Sequence, residues 1–382
     1  MAWSQASIVG VGATKQGKMP DETPASLAVQ AVRLALADAG IDKSEVDGLL
    51  TMPGTQSPEG PKNYLVLGEL LGIDPRYTGS MSMGGATAGA LVQNAAMAIA
   101  TGMAKVVVCV FADTAKTGGS KFAAAAGGEN SWGVWGMFGN AANSAMGFRR
   151  HSALYGSTSE HLGWIAVTTR YHASLNPNAI MQKRITLDDH QNSQMIVDPL
   201  HLLDCCLISD GAVAVVITSP ERARDCAKPP VSIWGMGQGH TMANLMEREW
   251  WYLPHQKNCV ADAYRMAGVG PADIDVAQLY DNFTVAVLFW LEHVGFCKLG
   301  EAGAYVEGGD RIRLGGSGIP VNTAGGNLSE SYMQGWLHLV EGVRQVRREC
   351  GERQVKDAEL CLVTGRGMTL NTASTLVLGP QS

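Results

Sequence analysis

The sequence predicts a duplicated α/β protein with an insertion in its first half. Segments recur in the same order in the two halves, beginning with SIVGVGAT from Ser7 and SIWGMGQG from Ser232. A further pair of similar segments places Asp47 opposite Asp275, an offset of 228 residues. Each half alternates strands with helices, an order typical of a sheet covered by helices on both faces. We therefore expect two mostly parallel sheets stacked through central helices, in a five-layered αβαβα body.

The local patterns support the individual elements. A helical apolar pattern begins after Thr23, a suitable N-cap, and ends at Gly40. The segment Gly84–Gly102 is small and apolar nearly all round, which predicts a buried helix that packs closely against its neighbours. Continuous apolar runs at 104–110 and 211–218 predict strands that are covered on both faces.

The repeat also implies domain boundaries. Residues 1–112 and 205–228 are predicted to form the N-terminal half, and residues 229–382 the C-terminal half. Residues 113–204, rich in glycine, alanine, asparagine and aromatic side chains, are predicted to form an inserted loop domain. Within this insertion, Trp132–Phe148 is aromatic and rich in methionine, which suits either an apolar contact surface or the core of the loop domain.

Composition and charge exclude several classes of protein. The chain is 46% hydrophobic and 17% charged, values typical of a globular enzyme and not of a disordered chain. A net charge of −6 without a basic run argues against nucleic acid as a partner. No leader segment and no apolar run long enough to span a membrane is visible. The 8 cysteines form no CxxC pair and no zinc-site spacing. We therefore expect a cytoplasmic protein with reduced thiols, no metal and no cofactor.

One polar stretch carries the strongest functional signal. Asn322–Trp336 reads NTAGGNLSESYMQGW, and the adjacent Gly325 and Gly326 allow a close backbone approach to a ligand. A helix is predicted over residues 331–351, which would place Tyr332 at a helix N-terminus beside this turn. The helix dipole is expected to lower the pKa of its hydroxyl there.

Several motifs make the chain resemble the thiolase family, in particular its sterol-carrier-protein type. The segments His151–Ala179 and Met195–Thr218 are similar to the loop domain of that family. Tyr280–Thr284 (YDNFT) stands where the family carries a His-Asp-Cys-Phe motif, and NTAGG matches its Asn-x-x-Gly-Gly motif. The resemblance covers nearly the whole chain, and it implies a thiolase fold with a homodimeric core.

The departures from the family pattern bear on the chemistry. Thiolases acylate a cysteine at the N-terminus of the central first-half helix, but here that position falls at Gly84 or Gly85. Tyr280 replaces the histidine of the first motif, and Asn282 replaces its cysteine. Tyr332 aligns with the histidine that activates the thiolase nucleophile. Nucleophile and activator are therefore both missing.

Two interpretations of this pattern are open. The chain could be an inactive relative, or it could resemble the lipid-transfer-protein aldolases, a thiolase-like group that cleaves steroid side chains with paired tyrosines. The retained Asp281 and the retained NTAGG motif favour the aldolase. The resemblance then implies retro-aldol cleavage of a β-hydroxyacyl-CoA with a steroid or other bulky side chain, releasing a short acyl-CoA and a ketone or aldehyde.

Roles follow for the residues at these motifs. Tyr280 and Tyr332 are predicted to transfer protons, with the division between base and acid open, and Asp281 and Asn282 to orient Tyr280 or a water. Polar and backbone groups are expected to form an oxyanion hole for the thioester at Gly84, Gly85, Asn322, Gly325 and Gly326. By resemblance alone, Lys183 and Arg184 are candidates for binding the phosphate end of CoA, which is part of the substrate.

Two alternatives belong to other classes of protein. In the first, the chain is an acyltransferase that uses Cys361, since CLVTGRG resembles the family's Cys-x-Gly-Gly-Gly-x-Gly motif at Gly365 and Gly367. Val363 and Thr364 depart from that motif, and a plain buried strand is the preferred interpretation. In the second, the chain is a non-catalytic acyl-CoA- or lipid-binding subunit. Proteins of this type often pair with a small zinc-ribbon/OB-fold partner, which would give a heterotetramer around the dimer.

Overall fold

The computed structural model describes residues 4–119, 139–241, 254–367 and 371–381 of the chain. The strands of the main sheet are β1 Ser7–Ala13, β2 Gly48–Met52, β3 Tyr77–Ser80, β4 Val106–Thr114, β7 Asp210–Thr218, β8 Val231–His240, β9 Val276–Gln278, β10 Cys361–Gly367 and β11 Thr372–Pro380. A separate small hairpin is formed by β5 Met195–Val197 and β6 Leu200–His201. The helices are α1 Pro24–Ala39, α2 Asn63–Leu71, α3 Thr87–Ala100, α4 Gly139–Tyr155, α5 Ser159–Ser174, α6 Leu187–Gln191, α7 Pro220–Ala223, α8 Pro254–Ala267, α9 Thr284–His293, α10 Ala302–Val306 and α11 Trp336–Arg347.

The strand order confirms the predicted duplication. The main sheet runs β3-β2-β4-β7-β1-β8-β11-β10-β9. Read outward from its centre, β1-β7-β4-β2 of the first half corresponds to β8-β11-β10-β9 of the second half. The two halves meet at β1 and β8, where Ser7 pairs with Ser232 and the two hydroxyl oxygens lie 3.2 Å apart. The repeated halves therefore share one continuous sheet.

The expectation of mostly parallel sheets is wrong. Among the strands of the described residues, only the pairs β2–β3, β2–β4 and β9–β10 are parallel, whereas the strands between them pair antiparallel. Apolar strands covered on both faces occur in either arrangement here, because helices pack on both sides of this mixed sheet. A continuous hydrophobic run therefore predicts that a strand is buried on both faces, but it does not predict whether the strand pairs parallel or antiparallel.

Side chains alternate between two buried faces and so define five layers. Along β4, the even-numbered residues 106 to 112 pack with α1 and α2, whereas the odd-numbered residues 107 to 111 pack with α3 and α11. In β10, Leu362 faces α8 and α9, whereas Cys361 and Val363 face the central helices. The order of layers is thus outer helices, the first-half strands, α3 with α11, the second-half strands and outer helices, as predicted, although the strands of both halves belong to one continuous sheet.

The start of the central helix α3 differs from the prediction. The helix begins at Thr87 and not at Gly84, because Gly84 has a φ of 56° and belongs to a preceding turn. The Thr87 hydroxyl closes this turn by donating to the Gly84 carbonyl at 2.6 Å and accepting from the Met83 N–H at 2.8 Å. Gly84 and Gly85 therefore present backbone just before the helix.

The inserted segment connects two neighbouring strands. β4 ends at Thr114, β7 begins at Asp210, and these two residues are register partners. Helices α4, α5 and α6 and the small hairpin lie in this connection. The first seven residues of Trp132–Phe148 lie outside the described residues; of the remainder, Phe148 is buried in the core and Met146 is exposed. In the described parts of the chain, no helix is both long enough and apolar enough to cross a membrane.

Candidate active site

Two tyrosines from distant parts of the second half meet at the end of the central layer. The hydroxyl oxygens of Tyr280 and Tyr332 lie 3.2 Å apart, within hydrogen-bonding distance. The Tyr332 hydroxyl also donates to the Gln334 side-chain oxygen at 3.1 Å. Tyr280 is only 2% exposed. The structure therefore brings together the two residues predicted to transfer protons, in a chain of hydroxyl contacts that suits such transfer.

The Tyr280 ring is held against glycine backbone. Tyr280 follows β9, and its N–H donates to the Thr364 hydroxyl of β10 at 3.1 Å. A Cβ added at Gly85 would lie 2.1 Å from ring atoms of Tyr280, and one added at Gly335 would lie 3.1 Å from the ring. The Tyr280 ring thus occupies the space that a side chain at Gly85, just before α3, would fill.

The turn before α3 is pressed against β10 through further glycines. A Cβ at Gly367 would lie 1.9 Å from the Met83 carbonyl oxygen, and a Cβ at Gly365 would lie 2.6 Å from the Gly85 carbonyl oxygen. Only glycine permits such contact between two backbones. The turn at Gly84 and Gly85 is thereby fixed beside the tyrosine pair.

Tyr332 does not lie at a helix N-terminus. Residues Gly326–Glu330 form one π-helical turn, the chain is extended at Ser331, and α11 begins only at Trp336 after Gly335 with a φ of 84°. The prediction of a helix over 331–351 is therefore wrong at its start, and so is the expectation that a helix dipole at Tyr332 lowers its pKa. Burial raises the pKa of both phenols above the ordinary value, and the neighbouring phenol adds to the effect at Tyr332.

Asp281 anchors the Gly-Gly turn through its side chain, and its role in orienting Tyr280 or a water stays a prediction. Its fully buried carboxylate accepts the Asn327 N–H at 2.8 Å and the Leu328 N–H at 3.4 Å, and it lies 2.9 Å from His338 Nε2. A Cβ at Gly326 would lie 2.1 Å from Asp281 Oδ2. This carboxylate thus takes the N–H groups of the turn and requires glycine next to it.

Asn282 contributes backbone to the site surroundings. Its carbonyl oxygen accepts the Cys206 N–H at 3.0 Å, which ties the end of the insertion to the YDNFT segment. Its side-chain oxygen is buried and finds no hydrogen-bond partner among the described residues. An interaction of Asn282 with a water or with substrate stays a prediction.

Asn322 and Gly325 are engaged in building the turn. The Asn322 side chain accepts the Leu279 N–H at 2.7 Å and donates to the Leu279 carbonyl at 2.8 Å, so that it fixes the chain just before Tyr280. The Gly325 N–H donates to the Asn322 carbonyl at 2.9 Å. Both donors make hydrogen bonds within this turn, and a role for them at a thioester oxygen stays a prediction. The N–H groups at Gly84, Gly85 and Gly326 stay the predicted donors.

Comparisons with known proteins agree with this architecture. Residues 237–380 match the family model "Thiolase C-terminal domain-like". The chain is 39% identical to the steroid side-chain-cleaving aldolase of Thermomonospora curvata, over 98% of this chain and 97% of that protein. It is 40% identical to the 17-hydroxy-3-oxo-4-pregnene-20-carboxyl-CoA lyase of Mycobacterium tuberculosis, over 99% of this chain and 100% of that protein. A solved structure described as "Ltp2-ChsH2(DUF35) aldolase" is 40% identical, has a TM-score of 0.88, and matches 99% of this chain and 98% of its own.

The chain belongs to the thiolase superfamily. Thiolases use a reactive cysteine as nucleophile, and the surroundings of Cys361 do not suit that role. Cys361 is fully buried in β10, and its sulfur lies 3.1 Å from where a Cβ at Gly342 of α11 would be. Burial raises the pKa of the Cys361 thiol well above its usual range, which disfavours a thiolate. The preferred interpretation of CLVTGRG as a buried strand is confirmed.

The predicted CoA ligands of this thiolase relative lie on the insertion. Lys183 and Arg184 are exposed, and Arg184 donates to the Ser174 hydroxyl at 3.2 Å and stacks over the Tyr171 ring. The preceding backbone N–H groups, of Ile180 and Met181, donate to the carbonyls of the π-helical turn at 2.9 and 3.0 Å. The insertion is therefore attached directly to the segment that carries Tyr332, and CoA binding by the two cations stays a prediction.

Two buried charged or polar groups near the tyrosines were not predicted from the sequence. His338 of α11 has its ring centre 6.2 Å from that of Tyr280 and contacts Asp281. Arg366 of β10 is 3% exposed and lies on the same face of the strand as Leu362. The sequence did contain a signal for Arg366, since it is a charged residue inside a predicted buried strand. Burial of an unpaired charge is costly, so such a residue indicates a specific role. His338 gave no comparable signal in the predicted helix.

Proposed function

We propose that the chain catalyses retro-aldol cleavage of a β-hydroxyacyl-CoA without an acyl-enzyme intermediate. One observation carries the proposal: the Tyr280 ring fills the space at Gly85, and its hydroxyl lies 3.2 Å from that of Tyr332. The site therefore holds a pair of acid–base groups where thiolases carry a nucleophile. The two relatives near 40% identity, named as an aldolase and a lyase, support the same reaction class.

The reaction requires three groups from the protein: a base, hydrogen-bond donors at the thioester oxygen, and an acid. A base removes the proton of the β-hydroxyl, and the electron pair of that O–H bond forms the new carbonyl. The bond between the α and β carbons breaks, and its electron pair moves onto the thioester as an enolate. Donors at the thioester oxygen stabilise this enolate, and an acid then protonates the α carbon. A short acyl-CoA and a ketone or aldehyde leave.

The tyrosine pair supplies the base and the acid in this scheme. The hydroxyl contact between Tyr280 and Tyr332 allows a proton taken from the substrate to reach the enolate through the pair. General acid–base groups of this kind contribute about 10²–10⁴-fold to the rate. The backbone N–H groups of the turn at Gly84 and Gly85 are proposed as the enolate donors, each worth about 3 kcal/mol. Asp281 and Asn322 hold the segments before and after Tyr280 in place.

The relatives suggest the substrate and the partner. Both curated relatives are named for steroid chemistry, which supports a bulky steroid side chain as the acyl group. The description of the solved aldolase includes a DUF35 component, which supports a partner subunit. We propose that this partner is small, has a zinc-ribbon/OB-like fold and joins a homodimeric core of this chain. We place this assembly in the cytoplasm, with Lys183 and Arg184 at the CoA phosphates.

The alternative activities have less support. An acyltransferase requires a reactive thiol, and Cys361 lies buried against α11. A purely binding subunit does not require two buried phenols in hydroxyl contact.

Replacement of each tyrosine by phenylalanine tests the proposed function. Tyr280→Phe and Tyr332→Phe should each lower kcat for cleavage of a β-hydroxyacyl-CoA by about 10²–10⁴-fold, because each removes one proton-transfer hydroxyl. Tyr264→Phe is a matched control, since its buried hydroxyl donates to the Val294 carbonyl at 3.0 Å away from the site. Full activity in both site variants, or substrate carbon found covalently attached to the chain by mass spectrometry, would refute the mechanism.

A further inference from the structure

Gln334 has a left-handed backbone conformation that its residue type does not favour. Among the described residues, four that are not glycine have a positive φ: Asn322, Gln334, Arg348 and Asp357. Asparagine and aspartate tolerate this region, and Arg348 is exposed at the end of α11, where left-handed residues are common. Within this set, Gln334 with a φ of 52° has neither explanation. Such strain persists where the surrounding structure imposes it, and it is often found at functional sites.

The strained residue belongs to a tight turn that packs against the active site. The Trp336 N–H donates to the Met333 carbonyl at 2.9 Å, and the two residues between them have φ values of 52° and 84°. Positive φ at both central positions is typical of a type I′ turn, where Asn, Asp or Gly is preferred. Met333 and Trp336 are buried, and a Cβ added at Gly335 would lie 3.1 Å from the Tyr280 ring. The packing therefore fixes the backbone of Gln334 relative to Tyr280.

The Gln334 side chain bears on the direction of the hydroxyl contacts. A phenol carries one proton, and the Tyr332 hydroxyl donates it to the Gln334 side-chain oxygen at 3.1 Å. Either phenol could be the donor in the 3.2 Å contact, but this bond to Gln334 leaves the Tyr332 oxygen to accept from Tyr280. Burial raises the pKa of both phenols, so each keeps its proton near neutral pH. The donors therefore run from Tyr280 to Tyr332 to Gln334.

We propose that Gln334 is a positioning residue that orients the Tyr332 hydroxyl and so sets the direction of proton transfer through the tyrosine pair. This assignment rests on the proposed function. The substrate hydroxyl gives its proton to Tyr280, the proton of Tyr280 passes to Tyr332, and the proton that Tyr332 held on Gln334 goes to the α carbon. The substrate O–H electron pair forms the carbonyl, and the electron pair of the broken carbon–carbon bond takes up the Tyr332 proton. Both phenols are neutral before and after the step, so no further reactant is needed.

The length and chemistry of glutamine suit this role. Its amide oxygen is an acceptor on a neutral side chain, so it adds no charge beside two buried phenols. Asparagine would fit the turn better, but it is one methylene shorter, and its oxygen would not reach the Tyr332 hydroxyl. The residue that the turn prefers is therefore not the residue that the hydroxyl chain requires.

Substitution of Gln334 in the full-length protein tests this conflict. Gln334→Asn should raise the unfolding temperature, because the turn relaxes, and lower kcat for β-hydroxyacyl-CoA cleavage about 10-fold with little change in KM, because Tyr332 loses its acceptor. Gln334→Glu keeps an acceptor oxygen at the same reach and should retain more activity than Gln334→Asn, whereas Gln334→Lys offers only donors and should not. Arg348→Asn is the matched control, since it places asparagine at another left-handed position and should keep its kcat.

A titration without substrate separates this proposal from the proposed function. Fluorine NMR of a polyfluorinated tyrosine at position 332 should show ionisation at lower pH in Gln334→Asn than in the parent, because an acceptor stabilises only the protonated phenol. The other groups that act on this ionisation, Tyr280, Cys206 and Asp113, are the same in both proteins. Arg348→Asn should leave the titration unchanged.

The outcomes distinguish the two proposals. An unshifted titration would show that the Gln334 contact does not orient the phenol, and a shift to higher pH would show that the amide donates to it. Either result, or more activity in Gln334→Lys than in Gln334→Glu, would overturn the role of Gln334. The expected titration together with full activity of Tyr332→Phe would refute the proposed reaction and leave the orienting contact in place.

Discussion

Gly85→Ala is the smallest change that tests the packing of the active-site tyrosine. Gly85 does not have a positive φ, so alanine can adopt its backbone conformation. The added Cβ would lie 2.1 Å from two ring carbons of Tyr280 and 2.3 Å from its hydroxyl oxygen. The effect of the substitution therefore comes from the contact with Tyr280.

The size of the effect follows from these distances. Ordinary contact for a Cβ begins at 3.4 Å, so the Tyr280 ring has to move by about 1.3 Å. Such overpacking destabilises a folded protein by about 1–3 kcal/mol. A displacement of about 1 Å at a reacting group costs roughly 10²-fold in rate, and here it also breaks the 3.2 Å contact with Tyr332.

The assay compares kcat for β-hydroxyacyl-CoA cleavage with the free energy of unfolding in denaturant. Gly68→Ala serves as the matched control, because Gly68 lies in α2 and its Cβ would meet only the Ile73 carbonyl oxygen at 3.6 Å. This control should keep its activity and gain about 0.5–1 kcal/mol of stability, as expected for alanine in place of glycine in a helix.

A double variant decides whether the tyrosine is the cause. In a Tyr280→Ala background the space next to Gly85 is open, so Gly85→Ala should cost little or no further stability. If Gly85→Ala keeps full activity, or if its destabilisation is the same with and without the Tyr280 ring, the argument from packing is wrong.

Three further outcomes follow from buried groups near the site. Burial raises the pKa of the Glu330 carboxyl to about 8, from a value near 4.5 in the unfolded chain. Between pH 4.5 and 8 the folded protein holds a proton that the unfolded chain has released. The free energy of unfolding of the parent therefore falls as pH rises through this window. Glu330→Gln keeps the 3.0 Å hydrogen bond from Asn176 and has no such proton to lose. Its free energy of unfolding, relative to that of the parent, should therefore rise by up to about 1.4 kcal/mol per pH unit in this window. Equal differences between variant and parent at pH 4.5 and at pH 8 in denaturant titrations would contradict the prediction. Cys361→Ala should keep its kcat, and iodoacetamide should not inactivate the parent, since the thiol is fully buried; stoichiometric inactivation at this residue would revive the acyltransferase. Asp281→Asn should lower stability by about 1–3 kcal/mol and also lower kcat, because two buried N–H groups lose a charged acceptor; unchanged unfolding would show that the turn does not need it.

The elements set by local chemistry were predictable from the sequence. Thr23 caps α1, Pro24 is its first residue, and Gly40 ends it in a left-handed conformation, as the sequence indicates. The duplicated strand order followed from repeated segments, because similar sequences adopt similar folds in each half. The meeting of Tyr280 and Tyr332 followed from the family resemblance of two motifs, and neither motif alone predicts it.

The elements set by distant contacts were not predictable. The helix expected from residue 331 begins only at Trp336, because the chain is extended at Ser331 and left-handed at Gln334 and at Gly335, which lies against the Tyr280 ring. Strand direction could not be read from apolar runs that are buried in either orientation. The surroundings of His338 and Arg366 depend on which elements pack beside α11 and β10, and that information appears only in the folded chain.

The way the insertion joins the sheet has a consequence for how this scaffold could diversify. Thr114 and Asp210 are register partners, so the long intervening segment leaves and re-enters the sheet at adjacent points. Such a connection is topologically a hairpin whose loop has grown, and further growth costs little chain entropy. Recombination between homologues at these two points would exchange the whole segment while leaving the Tyr280–Tyr332 pair on the retained scaffold. Exchange of the inserted segment could thus change the preference for the acyl chain while the residues that break the carbon–carbon bond stay the same.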